Sequence, residues 1–184
     1  SHPRWIVSAF YDSLGGDLVA LDALLAQDNV PAPVTLVARP TRSTPDDLKE
    51  LGAEPGRWSP LAAVMGSGDP GDFEAVRRGD VGVQDEGSQL VTLALTSVAV
   101  EAAQPEQWLD LCAGPGGKAA LLAGLADERG AHVVANELHE HRAQLIRQVL
   151  RNGIGDHTVV VGDGTAGGWE SASFDRVLVD APCS

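Results

Sequence analysis

The sequence predicts an α/β protein built on a doubly wound parallel sheet, and three observations carry that expectation. From about residue 81, short β-branched runs alternate with segments of helical periodicity. Those runs are continuously apolar rather than alternating, as strands buried on both faces require. Glycine-rich or acidic motifs follow the runs, at the carboxyl ends where open parallel sheets bind ligands, near the reversal of strand order. The expected division is a small α+β unit over residues 1–80 and the parallel-sheet domain over 81–184.

In the first unit, Ser1 is placed to cap a helix through Trp5, Ile6, Ala9 and Phe10, with Pro3 tolerated in its first turn. Leu18, Leu21, Leu24 and Leu25 stand at helical spacing and predict a second helix from about Asp17 to Gln27. Val34–Arg39 reads as a strand ended by Pro40. Ser43-Thr44-Pro45-Asp46 then opens a short helix through Leu48 and Leu51, which Gly52 stops. The turn-rich GSGDPGD at 66–72 reads as a loop. In the second domain, Glu86 to Ala102 reads as a long apolar helix. Strands are expected at Trp108–Leu111, Val133–Ala135, Val159–Val161 and Val177–Val179, with helices at Ala119–Ala126 and Glu140–Leu150.

The chain is long enough for a real core, with 43% of its 184 residues hydrophobic. No apolar run approaches the ~20 residues needed to span a bilayer, and the start SHPRWIVSAF lacks the pattern of a signal peptide. Cys112 and Cys183 are far apart and form no CxxC pair, which excludes a zinc site by spacing and fits free thiols in a cytoplasmic protein. The formal net charge of -13 argues for a small-molecule ligand and against tight, non-specific nucleic-acid binding by this chain alone.

Four motifs carry chemistry. Asp110-Leu111-Cys112-Ala113-Gly114-Pro115-Gly116-Gly117-Lys118 leaves the first strand and opens a helix; its glycines allow close backbone approach to a ligand. It is neither GxGxxG nor a Walker loop. Glu137, ending Ala135-Asn136-Glu137, is an acid at the second strand end, where ribose hydroxyls are bound in such folds; a solvated helix cap is the equal alternative. Asp163, between Gly162 and Gly164, is either a plain turn or an acceptor for an adenine amino group. Asp180-Ala181-Pro182-Cys183-Ser184 follows the fourth strand, and Cys183 reads as a buried small hydrophobe or as a thiol presented to a pocket.

In that order, DLCAGPGGK, NE, GDG and DAPCS resemble the Nol-Nop-Sun RNA cytosine-5 methyltransferases, nearest the bacterial Sun/Fmu enzymes of 16S ribosomal RNA. The segment Val83 to Leu90 and the start His2-Pro3-Arg4-Trp5 are similar to the same family. The resemblance implies a Rossmann-like S-adenosylmethionine-dependent methyltransferase fold with an incomplete sheet, after a small RNA-binding-like unit. It implies S-adenosylmethionine as cofactor, RNA as partner, no metal, no membrane and a monomer in the cytoplasm. Cys112, Ala113, Gly114, Pro115, Gly116, Gly117 and Lys118 are then expected around the methionine part, Glu137 at the ribose and Asp163 at the adenine. Asp180 is expected near the methyl donor and the target base.

Cytosine carbon 5 is a poor nucleophile until a thiolate adds to carbon 6, and a carboxylic acid at ring nitrogen 3 stabilises that adduct. Residue logic alone nominates Cys183 as the thiol. The resemblance instead gives Cys183 product release and places the attacking cysteine in a later motif that these 184 residues do not contain, so that the chain alone is not expected to turn over. Two rivals stay open: another Rossmann-type methyltransferase, and a non-catalytic RNA-binding or assembly module that kept the fold.

Overall fold

A computed structural model describes residues 2–30, 32–102, 104–151, 154–166 and 168–182. The chain divides into two compact units, Ser1–Pro33 and Val34–Ser184. The first contains helices α1 (Arg4–Ser13) and α2 (Leu18–Gln27). Helix α1 starts after Pro3 without a side-chain cap, and the expected cap Ser1 lies outside the described residues. Helix α2 lies where the leucine spacing predicts, with Asp17 as its cap: Asp17 accepts from the amides of Val19 and Ala20 at 2.9 and 3.0 Å.

The second unit holds two four-stranded sheets. The smaller is antiparallel, in the order β2-β3-β1-β4, with β1 at Thr35–Ala38, β2 at Glu54–Pro55, β3 at Ala62–Val64 and β4 at Val81–Val83. Helices α3 (Pro45–Glu50) and α4 (Glu74–Arg78) belong to it; Leu36, Leu48, Ala63, Met65 and Val81 share its core. Thr44 and Asp47 close a reciprocal capping box on α3, so this helix starts where its sequence says it should. Because Val81–Val83 pairs with β1, the small sheet runs past residue 80, and its link to the rest is the start of the next helix.

That helix, α5, spans Glu86–Ser97 and not Glu86–Ala102. Val98 turns to extended backbone, and the Arg176 guanidinium takes the carbonyls of Leu95 and Val98 at 2.8 and 2.7 Å, which ends the helix from outside. Parallel strands β5 (Gln107–Asp110), β6 (His132–Glu137), β7 (Asp156–Val161) and β8 (Arg176–Leu178) follow, in the order β7-β6-β5-β8. Helices α6 (Gly117–Asp127) and α7 (Glu140–Leu150) connect them. Helix α6 is apolar on all sides, with Ala119 to Ala123 fully buried, as befits a helix walled in by its neighbours. Trp108, Leu122, Val133, Ile146, Leu150 and Ile154 fill the core. The order reverses between β5 and β8, since β6 and β7 extend the sheet one way and β8 the other.

Within this core, Glu106 accepts from Arg176 Nε and from Trp108 Nε1, both at 2.7 Å, with the Arg176 side chain only 3% exposed. Arg176→Met is expected to cost roughly 3–5 kcal/mol, because it strands the Glu106 carboxylate. Arg176, and next the Trp108 indole, hold the Glu106 carboxyl below its usual range. The pair therefore contributes fully above the ordinary glutamate pKa of ~4.3 and fades as pH falls through the lowered value. Urea unfolding of both proteins at neutral and acidic pH checks this; a wild-type advantage that does not shrink in acid would remove the ion pair as its cause.

Candidate active site

Where the strand order reverses, the carboxyl ends of β5, β6, β7 and β8 surround a cleft of about 570 Å³. Leu111, Cys112 and Gly114 line it after β5; Asn136 to His139 at the end of β6; Gly162 to Thr165 after β7; and Val179 to Pro182 after β8. This volume is in the range of small-molecule and cofactor sites.

The turn after β5 is shaped by close approach. A Cβ on Gly114 would collide with the Glu137 carboxylate and stand 3.1 Å from Arg142 Nε. Gly116 has φ +115° and initiates α6, where its carbonyl accepts from Ala120. The buried Ala113 donates its amide to the Asn136 carbonyl at 2.8 Å, which ties this turn to β6.

Glu137 is 4% exposed yet faces the cleft. Its Oε1 accepts from the His139 amide at 3.0 Å, and Oε2 lies 3.6 Å from Arg142 Nε. Arg142 also donates to the Gly114 carbonyl at 2.7 Å, so one guanidinium fixes both the acid and the glycine turn. Asp163 is exposed, and its Oδ1 accepts from the amide and hydroxyl of Thr165 at 2.9 and 2.7 Å, which holds its carboxyl below the usual range.

Of the expected site residues, Cys112, Gly114, Glu137, Asp163 and Asp180 meet at this cleft. Ala113 is packed behind it, Pro115 is exposed beside it, and Gly116 and Gly117 form the helix start. Lys118 does not line the cleft; its Nζ pairs with Asp180 at 2.7 Å. Cys183 lies outside the described residues. Sequence reasoning missed Arg142 and His139, which come from the start of α7 and carry no motif of their own.

Asp110 ends β5 at 1% exposure. Neither of its carboxylate oxygens has a well-formed hydrogen bond among the described residues; the Cys112 amide favours its charge without meeting full geometry. Burial first, then the charge of Asp180, pushes its pKa to about 7 against the opposing pull of that amide and Lys118. Burial, followed by the charges of Asp110, Glu137 and Asp180, raises the Cys112 thiol as well. These surroundings disfavour the thiolate, the form in which a cysteine acts as a nucleophile.

Residues 97–184 match the family described as 16S rRNA methyltransferase RsmB/F. A Mycobacterium tuberculosis protein named as a methyltransferase is 48% identical over 185 residues, covering all of this chain and 40% of that protein. The ribosomal RNA small subunit methyltransferase B of Pseudomonas putida is 30% identical over 197 residues, again across the whole chain and 42% of the relative. This chain belongs to the RsmB/F branch of the Nol-Nop-Sun methyltransferases. It spans about 40% of the length of the curated relatives it matches. The crystal structure of NSun6 from Pyrococcus horikoshii with SFG superposes with a TM-score of 0.76 at 13% identity, over 98% of this chain and 71% of that one, a likeness of fold. The fold is the Rossmann-like one of S-adenosylmethionine-dependent methyltransferases, and S-adenosylmethionine is the cofactor of the family.

The raised Asp110 has a thermodynamic consequence. Its folded pKa, about 7, lies above the unfolded value, so the native state binds the extra proton and stability falls as pH rises from about 4 to 7. Asp110→Asn is expected to remove that decline, leaving the variant on the order of 2–4 kcal/mol more stable than wild type at pH 8 and little different at pH 4. Urea midpoints across this range, with Lys118, Asp180 and Cys112 left intact, measure it; parallel curves for the two proteins would show that Asp110 titrates normally.

Proposed function

We propose that this chain carries the cofactor and base-facing edge of an enzyme that methylates carbon 5 of a cytosine in RNA, with 16S ribosomal RNA as the substrate. One observation carries the reading: Glu137, Asp163 and Asp180, from three successive strand ends, converge with the glycine turn after β5 on a single cleft at the reversal of strand order.

The cleft fits a nucleoside bearing a sulfonium. At Gly114 the backbone is the only surface that fits against Glu137, and a Cβ there would fill the cradle. Leu111, Leu138, Val179 and Pro182 supply apolar walls, and surrounding carboxylates favour a positive ligand. When bound, S-adenosylmethionine supplies an electrophilic methyl group. We assign Glu137 to the ribose hydroxyls, since the Arg142 and His139 contacts hold its acceptor oxygens in place. Asp163 is assigned to the adenine side, and the turn from Cys112 through Ala113, Gly114, Pro115, Gly116 and Gly117 to Lys118 to the methionine end.

Asp180 is assigned to the edge of the target cytosine. It is exposed at the mouth of the cleft and held there by Lys118. The base must leave its stack to reach this depth. The burial and carboxylates that raise the Cys112 thiol speak against it as the thiol that adds to carbon 6. Cys183, outside the described residues, is assigned product release.

Calorimetric titration of the chain with S-adenosylhomocysteine, with NADH as control, tests the cofactor site. Selective binding is expected. Binding of neither ligand would favour a module that kept the fold without its chemistry. Glu137→Ala is expected to weaken that binding by ~1–3 kcal/mol, as loss of a charged acceptor does. Gly114→Ala is expected to weaken it by displacing the same carboxylate; unchanged affinity in both variants would take Glu137 out of the site.

A further inference from the structure

We propose that Trp58, with Arg57 stacked on it, is a platform for an unpaired RNA base flanking the target nucleotide. This rests on the reading of the chain as part of an RNA methyltransferase. Trp58 is 64% exposed, on the loop that joins β2 to β3, and the Arg57 guanidinium lies 4.4 Å from its ring centroid.

A single carboxylate holds the loop's backbone. Glu86, the first residue of α5, accepts from the amides of Arg57, Trp58 and Ser59 at 3.1, 2.5 and 2.7 Å. Those amides, Ser59 first and then Trp58, hold the Glu86 carboxyl below its usual range. Ser59, buried, donates its hydroxyl to Gln89 Oε1 at 2.6 Å, and Gln89 in turn donates to the Leu36 and Gln84 carbonyls at 3.3 and 2.9 Å. Gly56 approaches so closely that a Cβ there would stand 2.5 Å from the Ala62 Cβ and 2.9 Å from Glu86 Oε2. The loop is therefore rigid up to the ring it presents, and a rigid aromatic loses little freedom on binding.

Its position points to RNA. Helix α5, whose first residue is Glu86, is bonded to β8 through the Arg176 contacts to the Leu95 and Val98 carbonyls, and Asp180 follows that strand into the cleft. The helix thus connects the platform to the strand that carries the residue assigned to the target base. The charge of the chain points the same way: a net -13 gives phosphates little to hold, whereas a base stacks on an aromatic face regardless of net charge. Arg57 covers one face of the ring with a cation and leaves the other face for the base.

Fluorescence anisotropy of a labelled single-stranded RNA of mixed sequence, with S-adenosylhomocysteine present, tests the platform. Trp58→Ala is expected to weaken RNA binding roughly 5- to 150-fold. Trp58→Phe should keep most of it, and the salt dependence should be unchanged in both. Arg57→Gln should lower the slope of log affinity against log salt by about one. S-adenosylhomocysteine affinity and melting temperature should stay at wild-type values in all three. RNA affinity unaltered by Trp58→Ala, or absent in the wild type, overturns the platform. Failure of S-adenosylhomocysteine to bind the wild type would instead count against the cofactor reading, so the two failures are told apart.

Discussion

Asn136 donates from its side-chain nitrogen to the Leu111 and Gly162 carbonyls at 3.0 and 3.1 Å, while its own carbonyl accepts from Ala113 at 2.8 Å. Those partners sit on the turns after β5 and β7, either side of its own strand. A parallel sheet leaves its carboxyl edge without ladder partners just where the chain must turn away, and buried carbonyls there cost about 1–3 kcal/mol each if unmade. At 2% exposure, Asn136 satisfies two of them at once and fixes the spacing between loops. Everything in the cleft depends on that spacing. The Asn136 amide, with Arg142 bridging Gly114 and Glu137 and the Gly162 amide bonded to the Glu137 carbonyl, keeps Gly114, Glu137 and Asp163 on one cleft.

The same edge is electrostatically one-sided. Asp85, Asp110 and Asp180 all interact with Lys118, and Glu137 is answered by Arg142. Burial, with a smaller push from the Asp180 charge, makes Asp110 the acid that most readily keeps its proton. Such a site favours a cationic ligand and repels phosphate. On the proposed reading of an RNA substrate, this charge distribution favours contacts through the bases over contacts through phosphate.

Much of this was legible in the sequence, for physical reasons that differ by residue. Strands β5 and β6, largely buried, could be read from their apolar runs, whereas β7 and β8 could be read from their valines although the structure leaves part of each exposed. Glu137, Asp163 and Asp180 could be placed together because the ends of parallel strands share one edge of the sheet. The capping sequences Asp17 and Thr44-Asp47 act within four residues of themselves and were readable for that reason. What could not be read acts at a distance. Strand β2 has two residues and β3 three, too short for any period, and they exist because β1 pairs with β3. The end of α5 at Ser97 is set by Arg176, some eighty residues later. Arg142 reaches Gly114 across 28 positions, and Lys118 turns away from the glycine motif it closes in order to meet Asp180.

The first turn of α5 shows how such distant contacts become one device. Asp85 caps the helix through the Ser88 amide at 2.8 Å; Glu86 grips the Trp58 loop; Gln89 reaches the small sheet through Leu36. Five consecutive residues thus tie the antiparallel sheet and the aromatic loop to one helix. A helix cannot bend within its first turn without losing its cap, so displacement of the loop must be transmitted to Asp85 or break the Glu86 contacts. On the proposed reading, the Trp58 loop is a fixed surface to which the RNA adapts, which is consistent with a target base that leaves its stack.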